Sequence, residues 1–210
     1  MLKKILKSTT LFLTYIIAII YPYRLYKKFI YIKKKLYSSW ISKEFKSLGY
    51  DAIISYPMYL HGGQYISIGN NFHSDIRFRI EAFDQHLGYK FTPIIAIGNN
   101  VSINPDCHIG AINQIKIGDN VLIASKVFIT DHYHGEINSE TIKTPPSKRK
   151  LYSKGPVTIE KNVWLGEGVV VLPGVSIGEN SIIGANAVIT KNIPKNSIVG
   201  GNPARIIRTL

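Results

Sequence analysis

Aliphatic residues recur every six positions along much of this chain. The longest unbroken run comprises Ile159, Leu165, Val171, Ile177, Ile183 and Ile189, and the same spacing joins Ile97, Ile103 and Ile109, and then Ile117, Ile123 and Ile129. Because six is a multiple of two, each aliphatic side chain returns to the same side of an extended strand. A fixed period of this kind indicates a repeat architecture built from short strands.

Two further positions of the six-residue unit are regular. The residue four places after the aliphatic one is usually small and also points inward, as in Val101, Val121, Val127, Val163, Val169, Val175, Ser181 and Ala187. The residue three places on is usually Asn or Gly, as in Asn100, Asn120, Asn162, Gly168, Gly174, Asn180, Asn186 and Asn192. Asn and Gly tolerate the positive φ that a tight corner needs. We therefore predict a short strand with two inward residues, then a corner, many times over.

These units resemble those of the hexapeptide-repeat transferases. The resemblance implies three units per triangular coil, stacked as a left-handed parallel β-helix, a handedness opposite to that of ordinary crossovers. Stacking would place Ile159 over Ile177, Leu165 over Ile183 and Val171 over Ile189. The expected fold class is mainly β, with an N-terminal helical segment and a protruding loop; an ordinary β-sandwich would not keep so strict a period.

The period also divides the chain. Residues 1–50 are predicted to be a basic, amphipathic helical segment ending near Gly49, residues 51–200 the β-helix, and residues 201–210 a C-terminal tail. An irregular turn or loop is expected over 81–93, and a two-residue insertion falls within 111–114. The largest break spans 130–156, after which the period resumes in phase. A long loop leaving a rigid solenoid is a common place for function.

Charge separates the first segment from the rest. Residues 1–50 carry eleven Lys and Arg against the single Glu44, so they account for +10 of the net charge of +13. The apolar run Leu11 to Tyr23 is shorter than the ~20 residues of a membrane span, and no small-residue cleavage site marks a signal peptide. Aromatic residues interleave with the lysines that follow. This pattern favours peripheral contact of residues 1–40 with an anionic membrane surface over nucleic-acid binding; a solvated packing or trimerisation helix is the alternative.

The single Cys107 excludes an internal disulfide and fits a cytoplasmic protein. It falls at an inward, small position of the repeat. We therefore expect it to fill the core and not to act as a nucleophile.

The 130–156 loop opens with Asp131, His132, Tyr133, His134 and Gly135. A histidine whose pKa lies near neutrality is a natural base for removing a proton from a hydroxyl. Here two imidazoles and a carboxylate lie where a regular scaffold breaks, which makes this segment the candidate active site.

The stretch from Ile117 to Asn202 resembles the maltose, galactoside and nodulation-factor acetyltransferases, and still more the polysaccharide O-acetyltransferases. The shared pattern is Ile-Gly-Asp-Asn-Val-Leu-Ile-Ala, a His seventeen residues after its first Ile, and then Asn-Val-Trp-Leu-Gly. Seventeen residues after Ile117 is His134, so the resemblance implies that His134 is the general base. His132 would orient or support it, and Asp131 would hold an imidazole in its useful tautomer.

The same resemblance implies further site residues. Asn104 matches the asparagine that binds acceptor hydroxyls, whereas the family's acidic acceptor-binding position falls around 111–113, where no carboxylate stands; this departure puts galactoside-type recognition in question. Trp164, pointing outward, would form a subunit contact or ligand wall, or serve the oxyanion through its indole N–H. The positions matching acetyl-CoA contacts, in a groove between subunits of a homotrimer, are Ala185, Thr190, Lys191, Arg205 and Arg208.

Taken together, these features predict a cytoplasmic, acetyl-CoA-dependent O-acetyltransferase that acts on a sugar hydroxyl of a surface polysaccharide or its precursor by direct transfer, without a metal. Within enzymes, N-acetylation of a nucleotide-linked amino sugar is the main alternative, and serine acetylation ranks last. A zinc-dependent carbonic anhydrase of the β-helical type would use His108, His132 and His134 as ligands. A non-catalytic assembly scaffold is the remaining class.

Overall fold

The chain winds through three parallel sheets in turn, placing one short strand in each sheet per coil. The computed structural model describes residues 2–210. We call the three sheets face A, face B and face C and number the strands in chain order.

The strands of face A are β1 (Ser47–Leu48), β4 (Ile66–Ile68), β9 (Ile94–Ile97), β12 (Gln114–Ile117), β15 (Val157–Ile159) and β18 (Ser176–Ile177). Those of face B are β2 (Ile53–Ile54), β5 (His73–Ser74), β10 (Ser102–Ile103), β13 (Leu122–Ile123), β16 (Trp164–Leu165), β19 (Ile182–Ile183), β21 (Ser197–Gly200) and β22 (Arg205–Thr209). Those of face C are β3 (Met58–His61), β6 (Phe78–Ala82), β11 (His108–Ala111), β14 (Phe128–Thr130), β17 (Val170–Val171) and β20 (Val188–Ile189).

The predicted stacking register is confirmed on every face. Ile159 pairs with Ile177, Leu165 with Ile183 and Val171 with Ile189, all in parallel ladders. The aliphatic residues of the six-residue period are at most 4% exposed. The core is therefore one continuous aliphatic column per face, and burying each such side chain contributes about 1.5–3 kcal/mol.

The corner between faces A and B is built by asparagines. Six of them take φ between 55° and 59°, the left-handed conformation that the corner requires: Asn71, Asn100, Asn120, Asn162, Asn180 and Asn196. In each of the first five, the side-chain Nδ2 donates to the side-chain Oδ1 of the next asparagine at 3.0–3.1 Å, which forms an asparagine ladder along the prism. Asn192, also predicted at a corner, instead accepts a hydrogen bond from the Ser176 N–H at 2.9 Å.

The N-terminal segment forms two helices, α1 (Leu2–Ile20) and α2 (Tyr23–Ile41), with a bend of 58° between them. Helical structure thus ends at Ile41, with one 3-10 turn after it, and not near Gly49 as predicted. The reason is that Ile41 and Phe45 enter the core at the end of the prism, so the first coil begins at β1. Over residues 2–210, each helix taken singly is too short or too polar to span a membrane, and only the bent pair together meets the length and composition of a span.

Three irregular segments interrupt or close the prism. The predicted irregular segment 81–93 contains a hairpin, β7 (Gln85–His86) and β8 (Tyr89–Lys90), whose two turn residues both have positive φ. The extruded loop after β14 contains 3-10 turns at Thr141–Lys143 and Pro146–Lys148. The predicted C-terminal tail contains β22, which folds back antiparallel on β21.

Candidate active site

A cavity of about 320 Å³ lies on the outer surface of face C, between the extruded loop and the β7–β8 hairpin. It is lined by Arg79, Glu81, Phe83, His86, His108, Gly110, Phe128, Thr130, His132, His134 and Leu151. Four imidazoles, one carboxylate, one guanidinium and two phenyl rings therefore share one depression, which we call the imidazole cavity.

The floor of the imidazole cavity follows from strand register. In face C, Arg79 pairs with His108 and His108 with Phe128, while Gly110 lies between Glu81 and Thr130. Neighbouring strands are about 4.8 Å apart, so these outward residues form two adjacent columns. A side chain at Gly110 would place its Cβ 3.5 Å from His108 Nε2 and 3.5 Å from His132 Cε1. The glycine thus leaves open the space between the two rings.

Asp131 anchors the start of the extruded loop. Its carboxylate is fully buried and accepts the backbone N–H of Ile112 at 2.9 Å and that of Asn113 at 2.8 Å. These two residues belong to the insertion predicted from the spacing, so the carboxylate ties that insertion to the loop. An ionised carboxylate only accepts hydrogen bonds.

The imidazole that Asp131 contacts is that of His132. His132 Nδ1 lies 3.1 Å from Asp131 Oδ1 and 3.2 Å from Thr130 Oγ1. Since the carboxylate is an acceptor, Nδ1 carries a proton in this contact, so that in the neutral ring the lone pair is on Nε2. The predicted tautomer-holding contact therefore involves His132 and not His134.

His134 lies on the same side of the loop as His132. Tyr133, between them, bonds to Tyr152 in both directions, with N–O distances of 2.8 and 3.0 Å. In extended chain, residues two apart point the same way, and both imidazoles line the cavity. The ring of His134 meets that of His86 edge-to-face, with 6.0 Å between centroids.

The cavity carboxylate comes from an earlier coil. Glu81 Oε2 accepts from Arg79 Nε at 2.7 Å and lies 3.0 Å from His108 Nε2. Burial lowers the pKa of His108, and the nearby Arg79 charge lowers it further, while Glu81 opposes both effects. The net effect favours the neutral form of His108. The sequence resemblance places an acidic acceptor-binding residue around 111–113, where this chain has none. Glu81 lies next to that position on the preceding coil, where its strand partner is Gly110.

Sequence periodicity does not single out Arg79, Glu81, Phe83 or His86, because they lie at or beside the break at 81–93. One signal was present: Arg79 and Glu81 alternate with the inward Phe78 and Ile80 of a strand. Their partnership with His108 depends on a register across 27–29 residues that spans the break.

Other predicted site residues lie away from the cavity within one chain. Asn104 precedes β11 by four residues and sits at the corner between faces B and C, whereas His134 follows the opposite end of face C. Trp164 is on face B, 49% exposed, between Leu122 and Ile182 of the neighbouring strands. A single prism therefore does not bring Asn104 or Trp164 to His134.

The predicted acetyl-CoA contacts are divided in the same way. Thr190 follows β20 and is in register with Thr130, two strands away on face C. With about 4.8 Å between neighbouring strands, Thr190 lies about 10 Å from Thr130, at the same edge of face C as His134. Lys191 is next to it and exposed. Ala185 lies at the opposite corner of face C, near the level of Trp164, and Arg205 and Arg208 are exposed on β22 at the edge of face B.

Cys107 is buried and its Sγ donates to the Ala124 carbonyl at 3.0 Å. Burial raises the pKa of this thiol to about 11. The thiolate is the nucleophilic form of cysteine, so Cys107 is unreactive and packs in the core. In the described part of the chain, no three His, Cys, Asp or Glu side chains are grouped so as to hold a metal ion.

Comparison with known proteins agrees with the repeat. A family model described as bacterial transferase hexapeptide (six repeats) matches residues 156–191. A protein of Escherichia coli named as a putative lipopolysaccharide biosynthesis O-acetyl transferase, WbbJ, is 41% identical over 160 residues, which is 74% of this chain and 78% of that protein. A galactoside O-acetyltransferase of Escherichia coli is 34% identical over 172 residues, covering 82% of this chain and 68% of the relative.

Solved structures share the fold. AntD, an N-acyltransferase from Bacillus cereus crystallised with dTDP-4-amino-4,6-dideoxyglucose and coenzyme A, superposes with a TM-score of 0.66 at 22% identity, covering 82% of this chain and 88% of the other. A hexapeptide-repeat acetyltransferase from Vibrio cholerae gives 0.54 at 23% identity, covering 84% and 81%. The chain therefore belongs to the hexapeptide-repeat acetyltransferases, the acetyl-CoA-dependent enzymes of the left-handed parallel β-helix fold.

Proposed function

We propose that this enzyme transfers an acetyl group from acetyl-CoA to a sugar hydroxyl of a surface polysaccharide or its precursor, with His134 as general base. The imidazole cavity is the observation that carries the proposal. It combines basic nitrogens with a carboxylate, Glu81, that can accept from sugar hydroxyls, and with two phenyl rings, Phe83 and Phe128, that suit the apolar faces of a pyranose.

The reaction is a direct transfer. His134 takes the proton of the acceptor hydroxyl while the oxygen attacks the thioester carbonyl, giving a tetrahedral oxyanion. The C–S bond then breaks and the thiolate of coenzyme A leaves, while the proton stays on the imidazole of His134. No acetyl-enzyme is required, in keeping with the buried, unreactive thiol of Cys107.

The active site is completed by a second copy of the chain in a homotrimer. Asn104, Trp164 and Ala185 lie on face B or at its corner with face C, and His134 lies at the other edge of face C; they can meet only across subunits. An exposed apolar strip, Leu122 and Trp164 on adjacent strands of face B, is the kind of surface that forms such contacts. The donor would lie in this groove, with Thr190 and Lys191 on the His134 side and the Trp164 indole N–H near the oxyanion.

Basic side chains suit the nucleotide end of the donor. Lys191, Arg205 and Arg208 are exposed, and none of them is in an ion pair among those present in the described residues. They are free to pair with the phosphates of coenzyme A. Ala185 has a small side chain that permits close approach of the pantetheine arm.

The likeness to AntD supports one alternative acceptor, a nucleotide-linked amino sugar, in which the same base would remove a proton from nitrogen. The names of the relatives WbbJ and galactoside O-acetyltransferase favour the hydroxyl. Purified enzyme with acetyl-CoA should acetylate the lipid-linked polysaccharide precursor of the producing cell and leave dTDP-amino sugars unmodified, with thiol release and mass spectrometry as readouts. Faster transfer to the amino sugar would contradict O-acetylation.

Replacing the base tests the mechanism. His134→Ala is expected to lower kcat about 10²–10⁴-fold, the usual contribution of a general base, with an unchanged circular dichroism spectrum and melting temperature. His132→Ala is the matched variant, and its loss should be smaller because His132 only supports the base. If His132→Ala abolished transfer while His134→Ala retained it, the base would be His132, whose tautomer Asp131 already fixes.

Subunit complementation tests the shared site. His134→Ala and Asn104→Ala proteins are each expected to be nearly inactive, whereas co-refolding an equal mixture should restore about a quarter of the sites in a cyclic trimer, since each site takes one residue from each neighbour. Sedimentation analysis reports the assembly. No recovery in a trimeric mixture would contradict a site divided between subunits.

We further propose that α1 and the start of α2 rest on the anionic inner surface of the cytoplasmic membrane, where a lipid-linked glycan precursor would be presented. The apolar side chains of α1 are exposed, Phe12 and Leu13 by 63% and 56%. Lysines flank them on both sides, and aromatic residues occupy the start of α2, as in interfacial helices.

A further inference from the structure

His86 has a buried nitrogen without a hydrogen-bond partner. In the described part of the chain, three buried side-chain polar atoms lack a partner: Ser55 Oγ, Ser74 Oγ and His86 Nε2. The two serines occupy inward positions of the coil, where small polar residues fill the core. His86 differs because it lines the imidazole cavity.

The hairpin that carries His86 is held at its base and at its tip. Asp84 Oδ2 accepts from the Tyr65 hydroxyl at 2.9 Å, and the Asp84 carbonyl accepts the Phe91 N–H at 2.8 Å. At the tip, the Lys150 ammonium of the extruded loop lies 4.9 Å from the centre of the Tyr89 ring. The hairpin therefore connects face C to the extruded loop, and the position of His86 is determined by both.

Contacts around the hairpin place His86 beside the proposed base. Its ring meets that of His134 edge-to-face, with centroids 6.0 Å apart and planes at 76°. The preceding Phe83 packs against His61 on one side and His132 on the other, with centroid distances of 5.1 and 6.1 Å. The cavity thus has a second imidazole in edge-to-face contact with that of His134, and this imidazole comes from a different segment of the chain.

An unpartnered buried nitrogen is unfavourable unless a ligand supplies the missing hydrogen bond. None of the other cavity side chains supplies that hydrogen bond, and the contacts of Glu81 are with Arg79 and His108. A hydroxyl can supply that bond whichever tautomer His86 adopts, because a hydroxyl both donates and accepts.

We propose that His86 is an acceptor-binding residue, whose imidazole hydrogen-bonds a hydroxyl of the sugar next to the hydroxyl that His134 deprotonates. The inference rests on the proposed acetyl transfer to a sugar. It makes the hairpin a specificity element: the sugar must present two neighbouring hydroxyls, one to each imidazole. Sugars with a deoxy position beside the modified hydroxyl would leave His86 unpaired and bind more weakly.

Binding is tested separately from turnover. Full-length protein labelled at histidine ring nuclei is titrated with methyl glycosides of galactose, glucose, mannose, rhamnose and N-acetylglucosamine, and the His86 signal is assigned by its loss in His86→Gln. At least one glycoside should shift the His86 signal, in wild-type protein and in His134→Ala alike. If none shifts it, the proposal is wrong, even where acetyl transfer to another acceptor is found.

Kinetics with the glycoside that binds best, and with thiol release from acetyl-CoA as readout, then assign the role. His86→Ala should raise KM for the glycoside about three- to tenfold, the worth of one hydrogen bond, with kcat and KM for acetyl-CoA within twofold of wild type. His86→Gln, which keeps a hydrogen-bonding group, should recover part of the loss. The controls are Gln85→Ala, exposed on the same hairpin, and His61→Ala, exposed on the far side of Phe83; neither should change KM.

Two results would overturn the assignment. A fall in kcat with unchanged KM in His86→Ala would mean that His86 acts by positioning His134, and kinetics equal to wild type would mean that it has no role. Failure of the proposed function would look different: His134→Ala would then transfer acetyl groups as fast as wild type, whatever His86 does. Melting temperatures of all variants check that the hairpin stays folded.

Discussion

At the scale of single residues, Asp131 has a structural role as well as a contact with a histidine. One buried carboxylate orders the insertion through two backbone N–H groups and fixes the tautomer of His132. The loop histidines can therefore be presented at a constant position although they stand outside the regular coil. The same acid thus orders both the insertion and the His132 ring.

Asp131→Asn should destabilise the protein by about 1–3 kcal/mol, because the amide turns one acceptor into a donor that faces a buried N–H. Urea unfolding followed by circular dichroism measures the change. Glu140→Gln is the control; that carboxylate is 81% exposed in a surface ion pair with Lys143, and its loss should have little effect. An Asn variant as stable as wild type would show that the carboxylate is not needed to hold the insertion.

At the scale of elements, the asparagine ladder explains how one corner of the prism can be built from non-glycine residues at positive φ. The side chain of each of the four inner ladder asparagines both accepts from the previous coil and donates to the next, as in Asn120, which joins Asn100 to Asn162. Two independent properties, tolerance of left-handed backbone and a side chain with both donor and acceptor, are met by the same residue type.

Asn120 separates these two contributions. Asn120→Gly loses the ladder but keeps a residue suited to φ 58°, whereas Asn120→Ala loses the ladder and strains the backbone. We expect the Ala variant to be less stable than the Gly variant by about 1–2 kcal/mol, the cost of left-handed backbone for a residue with a Cβ. Thermal melts compare them. Equal stability of the two variants would show that hydrogen bonding alone selects Asn here.

At the scale of the whole molecule, the prism and the N-terminal helices differ in where their apolar side chains lie. The prism buries the aliphatic residues of its period in one core, whereas α1 leaves its own exposed. The C-terminal half of α2 is docked on the prism: Lys34 pairs with Asp75 at 3.8 Å, and Ser38 Oγ accepts the Ile54 N–H at 2.7 Å. Helices joined to a rigid body in this way can meet a lipid surface without disturbing the coil.

Vesicle flotation tests this arrangement. Full-length protein should float with vesicles containing phosphatidylglycerol and less so with phosphatidylcholine alone or at high salt, because lysine attraction to anionic lipid is screened. Leu13→Glu with Ile17→Glu, one turn apart on α1, should abolish flotation and leave the melting temperature unchanged. Ile137→Glu adds one carboxylate away from the helices, at a residue 85% exposed on the extruded loop, and should float normally. Unaltered binding of the double variant would place the lipid contact elsewhere.

The candidate site shows where prediction from sequence reached its limit. His132, His134 and Asp131 were found because they lie at the point where a strict period ends, and the family spacing selected His134. The carboxylate Glu81 and the imidazole His86 were not found, because the hairpin interrupts the period just where they stand. The predicted end of the helical segment near Gly49 was wrong because the first coil, β1 to β3, lacks the regular spacing.

The repeating core of this protein is encoded locally: a spacing of six fixes which side chains point inward, and the parallel register follows because each coil repeats the same alternation. What surrounds that core depends on contacts made only in the folded chain. The hairpin, the extruded loop and the outer columns of face C meet through contacts between residues far apart in the chain, and no local pattern encodes such contacts. The division of the predicted residues between two edges of one prism is likewise a property of the wound chain, since strand order around a coil cannot be read from residue spacing along it.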